Sequence, residues 1–359
     1  MRIGIDAREL AGHVTGVGRF LAGLLREWST DVAAAHEFVL YAPEPIAAGI
    51  DVRHFQTIVV PGGAGTWWEQ VHLADAVRHG RLDVLFAPGY TAPLRVAVPT
   101  VAAIYDLSYF AHPEWFGLRE GTRRRWITQQ TAARARAVIT LSAFARREVI
   151  ERLSVPDHRV HLVLPGIDRR AADRREPTVP RVLFVGSIFN RRHVPDLIRA
   201  VAVLAERHPA VSLDIVGDNR TFPYEDLDRV IDAFGARSRV RWHRFATDET
   251  LGELYGQARA FAFLSEYEGL GMTPLEALAA GVPPVLVDTA VARESCGSAA
   301  LYVPQGDHYA TERAIERALF DNEVRSTILG AAPAVLARYD WPRAARDTLA
   351  VIEAAGASD

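Results

Sequence analysis

Lysine is missing from this sequence altogether: all 41 basic residues among its 359 are arginine. Any phosphate or carboxylate gripped by a basic side chain must therefore meet a guanidinium, a planar fork suited to two parallel hydrogen bonds. Cysteine is almost missing as well. Cys296 stands alone, which excludes a disulfide framework and a cysteine-cluster metal site and fits a reducing compartment. No apolar run approaches the ~20 residues of a membrane-spanning helix. The opening MRIGIDAREL has an early Asp6 and no apolar segment of the secretory type, so a cytoplasmic protein is expected. There is no large excess of either charge. The net value of −3 argues against nucleic acid as a partner. The 12 histidines show no zinc-binding spacing, no Asp-x-Asp loop stands out, and no G-x-S-x-G elbow is present. No metal and no cofactor are expected.

What is present is an alternation of short β-rich runs and helical segments. Runs at 2–7, 37–43, 55–60, 84–88, 100–106 and 137–142 read as strands, with helices such as Val17–Trp28 and Trp68–Arg78 between them. Residues 167–180, charged, aperiodic and proline-containing, read as a linker. The alternation then restarts, with strands at 181–187, 211–217, 240–245, 260–265, 283–288 and 300–303 and helices near 195–208, 224–234, 248–258 and 273–280. Helices at 308–320, 322–338 and from Pro342 to Ala355 close the chain. Strands alternating with helices predict parallel sheets covered on both faces. The expectation is two doubly wound α/β domains, 1–166 and 181–341, with function in the strand-to-helix loops facing a cleft between them.

Five loops or segments carry candidate chemistry. In SEYEGLGMTPLEALAAGVPPV (265–285), Thr273 suits a helix N-cap, Pro274 the first helical position and Gly281 the C-cap. Gly269 and Gly271 let the preceding loop approach a ligand, and free amides at the helix start favour phosphate. Glu268 and Glu276, eight apart, can each accept sugar hydroxyls. Thr273 and Glu276 also fit a capping box, which needs no ligand. In HVTGVGRF (13–20), the amides of Thr15, Gly16, Val17 and Gly18 could cradle a diphosphate, or the segment could be an ordinary glycine turn; Arg19 lies beside it or on the helix exterior. In GSIFNRRH (186–193), Arg191 and Arg192 are candidate phosphate ligands or solvated loop residues. In TVAAIYDLSYFAHPEW (100–115), Tyr105 is a poor base near neutrality, and Asp106 either takes part in chemistry or caps a turn. His112 lies in the same loop. Finally, Arg123, Arg124, Arg125, Arg134 and Arg136 are expected on one long helix with Trp126 and Ile127. They read first as a solvated face, with a meeting surface for anionic lipid or an anionic acceptor as the alternative. Trp67, Trp68, Trp115 and Phe116 read as packing or as the lining of an acceptor groove.

The block EYEGLGMTPLEALAAG resembles the signature of the family-four retaining glycosyltransferases of GT-B fold. GIDARELAGHVTGVGRF, TWWEQVHL, YDLSYFAHPEWF and ITLSAFARREVIERLSV resemble further blocks of that family's first domain. VLFVGSIFNRRH, DIVGDNR and RESCGSAALYV resemble blocks of its second, and DWPRAARDTLAVI resembles its terminal helix, which crosses back to the first domain. The order is kept along essentially the whole chain. The resemblance implies two Rossmann-like domains, the first an acceptor-side domain that takes in the terminal helix 342–359. It implies a metal-independent transfer of a sugar, with retention, from a nucleotide diphosphate sugar to an acceptor hydroxyl. Glu276 would hold the ribose and Glu268 the transferred sugar. The donor diphosphate would meet Gly16, Val17, Arg191, Arg192 and the segment Gly269, Leu270 and Gly271. Glu268, Arg192 and Asp106 would be catalytic, and Tyr105, His112 and Trp115 would face the acceptor. Three positions depart from the family: Arg192 stands where a lysine is usual, Ser187 where many members have arginine, and Tyr105 where a histidine is common. The donor that the resemblance favours is GDP-mannose, in bacterial polysaccharide or glycoconjugate synthesis. The acceptor would be a glycan, a lipid-linked sugar or a small molecule, with peripheral contact at the inner membrane face. An epimerase of the same fold and a non-catalytic carbohydrate-binding relative are the alternatives. A nicotinamide dehydrogenase ranks lower, because the G-x-G-x-x-G with a following acid is absent.

Overall fold

Most of the branched and aromatic runs fold as strands buried on both faces, the pattern of a sheet covered by helices on each side. The computed structural model describes residues 1–12, 14, 16–29, 35–47, 49–168 and 177–357. Thr15 and most of the expected linker, 169–176, lie outside the described residues. The chain divides into two units. The first comprises Met1–Pro113, Leu118–Gly166 and Tyr339–Asp359, and the second Glu114–Gly117 and Ile167–Arg338.

The first unit holds strands β1 (Arg2–Asp6), β2 (Glu37–Ala42), β3 (Gln56–Val59), β4 (Val84–Ala87), β5 (Thr100–Ala103), β6 (Ala137–Thr140) and β7 (Val160–Leu162). They form one parallel sheet in the order β3-β2-β1-β4-β5-β6-β7. Ile3 of β1 is in register with Phe38 on one side and Val84 on the other. Ile3, Ile5, Leu40, Leu85 and Phe86 are wholly buried. The helices of this unit are α1 (Gly16–Trp28), α2 (Ala74–His79), α3 (Ser108–Ala111), α4 (Leu118–Arg134) and α5 (Ala143–Leu153). The closing helix, Trp341–Ala357, packs back into the same unit. Its Trp341 ring lies where a side chain on Gly23 of α1 would sit: a Cβ there would be 2.3 Å from the ring.

One expected helix differs. Residues Trp68–Leu73 form a π-helical turn before α2. Three consecutive side chains here are tied inward. Trp68 Nε1 donates to the Val60 carbonyl at 2.7 Å, Glu69 accepts from Arg8 and Thr91, and Gln70 bonds the backbone at Ala92 and Leu94. An α-helix spreads three successive side chains over a wide arc, and the wider turn lets all three stay inside.

The second unit holds β8 (Arg181–Val185), β9 (Ser212–Val216), β10 (Val240–His243), β11 (Ala260–Phe263), β12 (Pro284–Val287) and β13 (Leu301–Val303). They form a parallel sheet in the order β10-β9-β8-β11-β12-β13. Its helices are α6 (Val194–Arg207), α7 (Leu227–Ala233), α8 (Asp248–Gln257), α9 (Met272–Ala279), α10 (Ala290–Cys296), α11 (His308–Phe320) and α12 (Asn322–Leu336); Trp341–Ala357 is α13. Residues 114–117, expected in the first domain, group with this unit. The physical reason is Trp115, whose ring packs edge-on to Tyr267 at 6.4 Å and under the Arg191 guanidinium at 5.8 Å.

Candidate active site

In an open parallel sheet, ligands bind beyond the carboxyl ends of the strands where the strand order reverses. In the second unit that point lies between β8 and β11. The loops after β8 and β9 are built around close backbone approach. Gly186, directly after β8, has φ +145°, and a Cβ there would lie 2.6 Å from Arg192 Nη1. Gly217, after β9, would press a Cβ to 2.1 Å from the Gly186 carbonyl oxygen. The missing side chain of Gly186 makes room for one guanidinium. Arg192 Nε donates to Glu268 Oε1 at 2.7 Å and Nη1 to the Ser187 carbonyl at 2.8 Å. Its face lies over Phe263 at 4.9 Å and Phe189 at 5.3 Å. Its Nη2 makes no hydrogen bond among the described residues.

Glu268 also accepts from Ser265 Oγ at 2.8 Å. Burial opposes its ionisation, but the charges of Arg192 and Arg191 and the two hydrogen bonds outweigh it, holding the carboxyl below its ordinary range. Glu268 is thus an anion near neutrality, and no candidate for a general acid. Arg191 takes a different place from its neighbour. It is buried, donates from Nε to the Tyr267 carbonyl at 3.2 Å, and stacks on Phe189 at 4.4 Å. It acts on the site by its field on Glu268 and by anchoring the loop that carries it. A shallow recess open to solvent is bounded by Glu268, Gly271, Pro274, Thr289 and Ser295.

The cap of helix α9 lies two residues earlier than the sequence suggests. Gly271, at φ 83°, is the N-cap, and no side chain caps the first turn. Thr273 and Pro274 lie within the helix, so the expected capping box does not form. Glu276 instead accepts a hydrogen bond from the buried Tyr255 hydroxyl at 3.1 Å. Gly269 and Leu270 are buried in the loop ahead of α9. The amides at this helix start belong to the second unit's recess, with the partial positive charge of an uncapped N-terminus.

In the first unit the order reverses between β1 and β4. Gly16 begins α1, and a Cβ on it would meet nothing within 4 Å. Val17 is partly exposed beside it. Gly18 is different: a Cβ there would strike the Glu9 carbonyl oxygen at 2.3 Å. Asp106 behaves as a turn cap. It accepts from the Ser108 amide at 2.9 Å, Ser108 Oγ at 2.7 Å and Tyr90 hydroxyl at 3.1 Å. Tyr105 is buried against Phe20 and Tyr90, and its hydroxyl has no partner among the described residues. Burial and the nearby Glu9 push that hydroxyl well above its ordinary range, so it cannot serve as a base near neutrality. His112 ends the short α3, its amide donating to the Ser108 carbonyl at 2.7 Å.

The sequence reading missed a buried charge network at this same reversal point. Arg8 bridges Asp6, which is 1% exposed, and Glu69, 2% exposed, with Arg8 Nη1 3.0 Å from Glu69 Oε2. Thr91 Oγ1 donates to Glu69 at 2.8 Å. Burial opposes the charge on Arg8, and the two carboxylates outweigh it. For Glu69, burial wins over Arg8 and the carboxyl is pushed up; its Oε1 has no partner among the described residues. Tyr90, between the two loops, holds φ 68°, a rare value for a bulky residue and a mark of imposed geometry. The one signal in the sequence was the polar pair Glu69-Gln70 directly after two tryptophans. Among the described residues, no three His, Cys, Asp or Glu are grouped to hold a metal ion.

Comparison with known proteins bears on this arrangement. The family model for glycosyl transferases group 1 matches residues 168–333, and that for glycosyltransferase family 4 matches residues 14–171. The chain is 30% identical over 275 residues to the alpha-D-kanosaminyltransferase of Streptomyces kanamyceticus, covering 72% of this chain and 70% of that one. It is 23% identical over 298 residues to O-antigen chain mannosyltransferase B of Escherichia coli, covering 79% and 75%. Among solved structures, Anabaena Alr3699/HepE in complex with UDP and glucose superposes with a TM-score of 0.77 at 19% identity, covering 99% of this chain and 100% of that one. WaaG, a glycosyltransferase involved in lipopolysaccharide biosynthesis, gives 0.74 at 18%, covering 97% and 99%. The two parallel sheets are those of the GT-B fold, and the chain belongs to the group 1, family 4 glycosyltransferases.

Proposed function

We propose that this glycosyltransferase moves a hexose from a nucleotide diphosphate sugar to an acceptor hydroxyl, with retention at the anomeric carbon and without a metal ion. The observation that carries the reading is Arg192 at the second unit's reversal point. Two of its nitrogens are committed to Glu268 and Ser187, and its third is unused. A guanidinium so fixed offers a preorganised donor to charge developing on a departing diphosphate. The start of α9, with no side-chain cap, adds partial positive charge to the recess beside Glu268. Glu268, an anion held by Arg192 and Ser265, accepts hydroxyls of the donor sugar, and Glu276, steadied by Tyr255, accepts those of the ribose.

The bond from the anomeric carbon to the phosphate oxygen breaks, and a bond to the acceptor oxygen forms on the same face. The acceptor proton passes to the departing phosphate oxygen. Glu268 is committed to Arg192, Asp106 to three donors, and Tyr105 stays protonated. Mannose is the sugar supported by the mannosyltransferase relatives, with GDP as the expected nucleotide. The UDP complex of the structural neighbour supports a uridine donor as the second reading.

The test is Glu276→Ala. The folded variant should lose use of the nucleotide sugar while keeping a wild-type melting temperature within a few degrees. Near-normal transfer by that variant would sink the assignment. Product analysis without acceptor separates an epimerase, which returns an isomeric nucleotide sugar.

A further inference from the structure

Directly after Arg192 the chain turns through a conformation that few side chains adopt. His193 holds φ 48°, in the left-handed region that is uncommon outside glycine, and it is the N-cap of helix α6. The turn sets its ring between two carboxylates. Nδ1 lies 3.4 Å from Asp196 Oδ2, in the first turn of α6, and Nε2 lies 3.6 Å from Glu266 Oε2, in the loop after β11. Both are ion-pair distances. A neutral imidazole has a single N–H and can answer only one carboxylate, whereas an imidazolium has two and can answer both. The placement suits the charged ring.

Glu266 belongs to the loop that carries Glu268, as His193 belongs to the loop that carries Arg192. The Glu266 amide donates to the Arg191 carbonyl at 3.0 Å, so the two loops already meet through backbone at this point. Gln305, past β13, donates to the same Glu266 oxygen that faces His193. On the other side of the ring, His308 Nδ1 at the start of α11 lies 3.7 Å from Asp196 Oδ1, and Arg199 of α6 also acts on Asp196. Contact with Asp196 lets the His193 ring keep its proton to higher pH than an ordinary histidine; burial opposes this, and the charge of Glu266 adds to it. We propose that His193, as an imidazolium, is a positioning residue that straps the loop bearing Arg192 to the loop bearing Glu268, so that a nucleotide diphosphate binds more tightly when the ring is protonated. The strap rests on the donor reading of this site. Because the folded value is raised, the tie is fully present below the ordinary value of 6.5 and is lost as pH rises through the higher folded value.

Two measurements on the full chain test it. The first needs no ligand: a proton NMR titration of the His193 ring, its resonance identified by loss in His193→Asn. Asparagine is among the residues that adopt the left-handed region most readily, so that variant should keep the wild-type melting temperature. The midpoint should lie above 6.5 and fall in Glu266→Gln. A midpoint at or below the ordinary value, or one that Glu266→Gln leaves unchanged, overturns the strap. The second is calorimetry with GDP and with UDP at about pH 6 and about pH 8.5, on either side of the expected loss. For the nucleotide that binds, the wild-type Kd should rise over this range at least about fivefold more than that of His193→Asn, the lower end of ordinary coupling between sites. The titration of the phosphate itself is common to both proteins and cancels. His308→Gln should behave as the wild type. Equal pH dependence in the wild type and His193→Asn overturns the proposal, as does a pH dependence that His308→Gln alone abolishes. Failure of both nucleotides to bind the wild type at either pH overturns the donor reading and the strap's service to it, while the NMR titration decides separately whether the tie exists.

Discussion

At the scale of single residues, the second unit's site rests on one arginine and one glutamate whose properties follow from each other. Arg192 can sit only 13% exposed because Glu268 pairs with it and two phenylalanine faces carry its cation. Removing a preorganised donor to developing charge typically costs 10²–10³ in kcat. Arg192→Ala should therefore reduce turnover by about that factor, measured at saturating donor, with Arg192→Lys recovering only part because a lysine cannot span Glu268 and Ser187 together. Glu268 also makes stability depend on pH. Its carboxyl is depressed in the folded protein from the ordinary value of 4.5. The pair thus contributes stability that is fully present above that value and is lost as pH falls through the lower folded value. The stability gap between wild type and Glu268→Gln should be wide at neutral pH and shrink in acid, as denaturant titrations at the two pH values would show. A gap that stays constant would mean that Glu268 is not ionised in the fold. The thiol of Cys296, which burial pushes up to about 12, takes no part in this balance.

At the scale of elements, glycine decides what may approach what. Gly23 of α1 faces the Trp341 ring of the closing helix, and Gly16 at the start of the same helix faces open space. The two make a controlled pair. Gly23→Ala forces the indole aside and should destabilise the chain by about 1–3 kcal/mol, the usual cost of overpacking. Gly16→Ala should leave the melting temperature near the wild-type value. Equal effects of the two substitutions in denaturant unfolding would mean that α1 and Trp341 do not pack as closely as described. The π-helical turn at Trp68–Leu73 makes the same point with polar atoms. It exists because Glu69 and Gln70 are held inside along with Trp68, not because of a local preference of the backbone.

At the scale of the whole molecule, the proposed chemistry uses arginine where many phosphate-handling proteins use a divalent ion. Chelation with excess EDTA should leave the transfer rate unchanged, and a nucleotide at about 100 times its dissociation constant should add ~2.7 kcal/mol of stability without magnesium. A rate that collapses with EDTA and returns with magnesium would overturn the metal-independent reading. Much of this molecule was legible beforehand. The repeated alternation of strand and helix predicted both parallel sheets, since the period of a strand and that of a helix are properties of short stretches of chain. The loops after β8 and β11 stood out because glycine, arginine and glutamate gather there in order. Three features were not legible. The cap of α9 shifted from Thr273 to Gly271, and Glu276 takes a hydrogen bond from Tyr255 of another helix, a partner distant along the chain. Arg191 and Arg192 are adjacent and identical in type, yet one is spent on the Tyr267 carbonyl and the other on Glu268. The Asp6–Arg8–Glu69 network joins residues 61 apart in the chain. What the sequence by itself determined was periodicity and the inventory of charges, which depend on neighbours along the chain. Which charge meets which, and so which arginine is left with a nitrogen to offer, only the tertiary structure decided, because Coulombic and hydrogen-bond partners are chosen by distance in space.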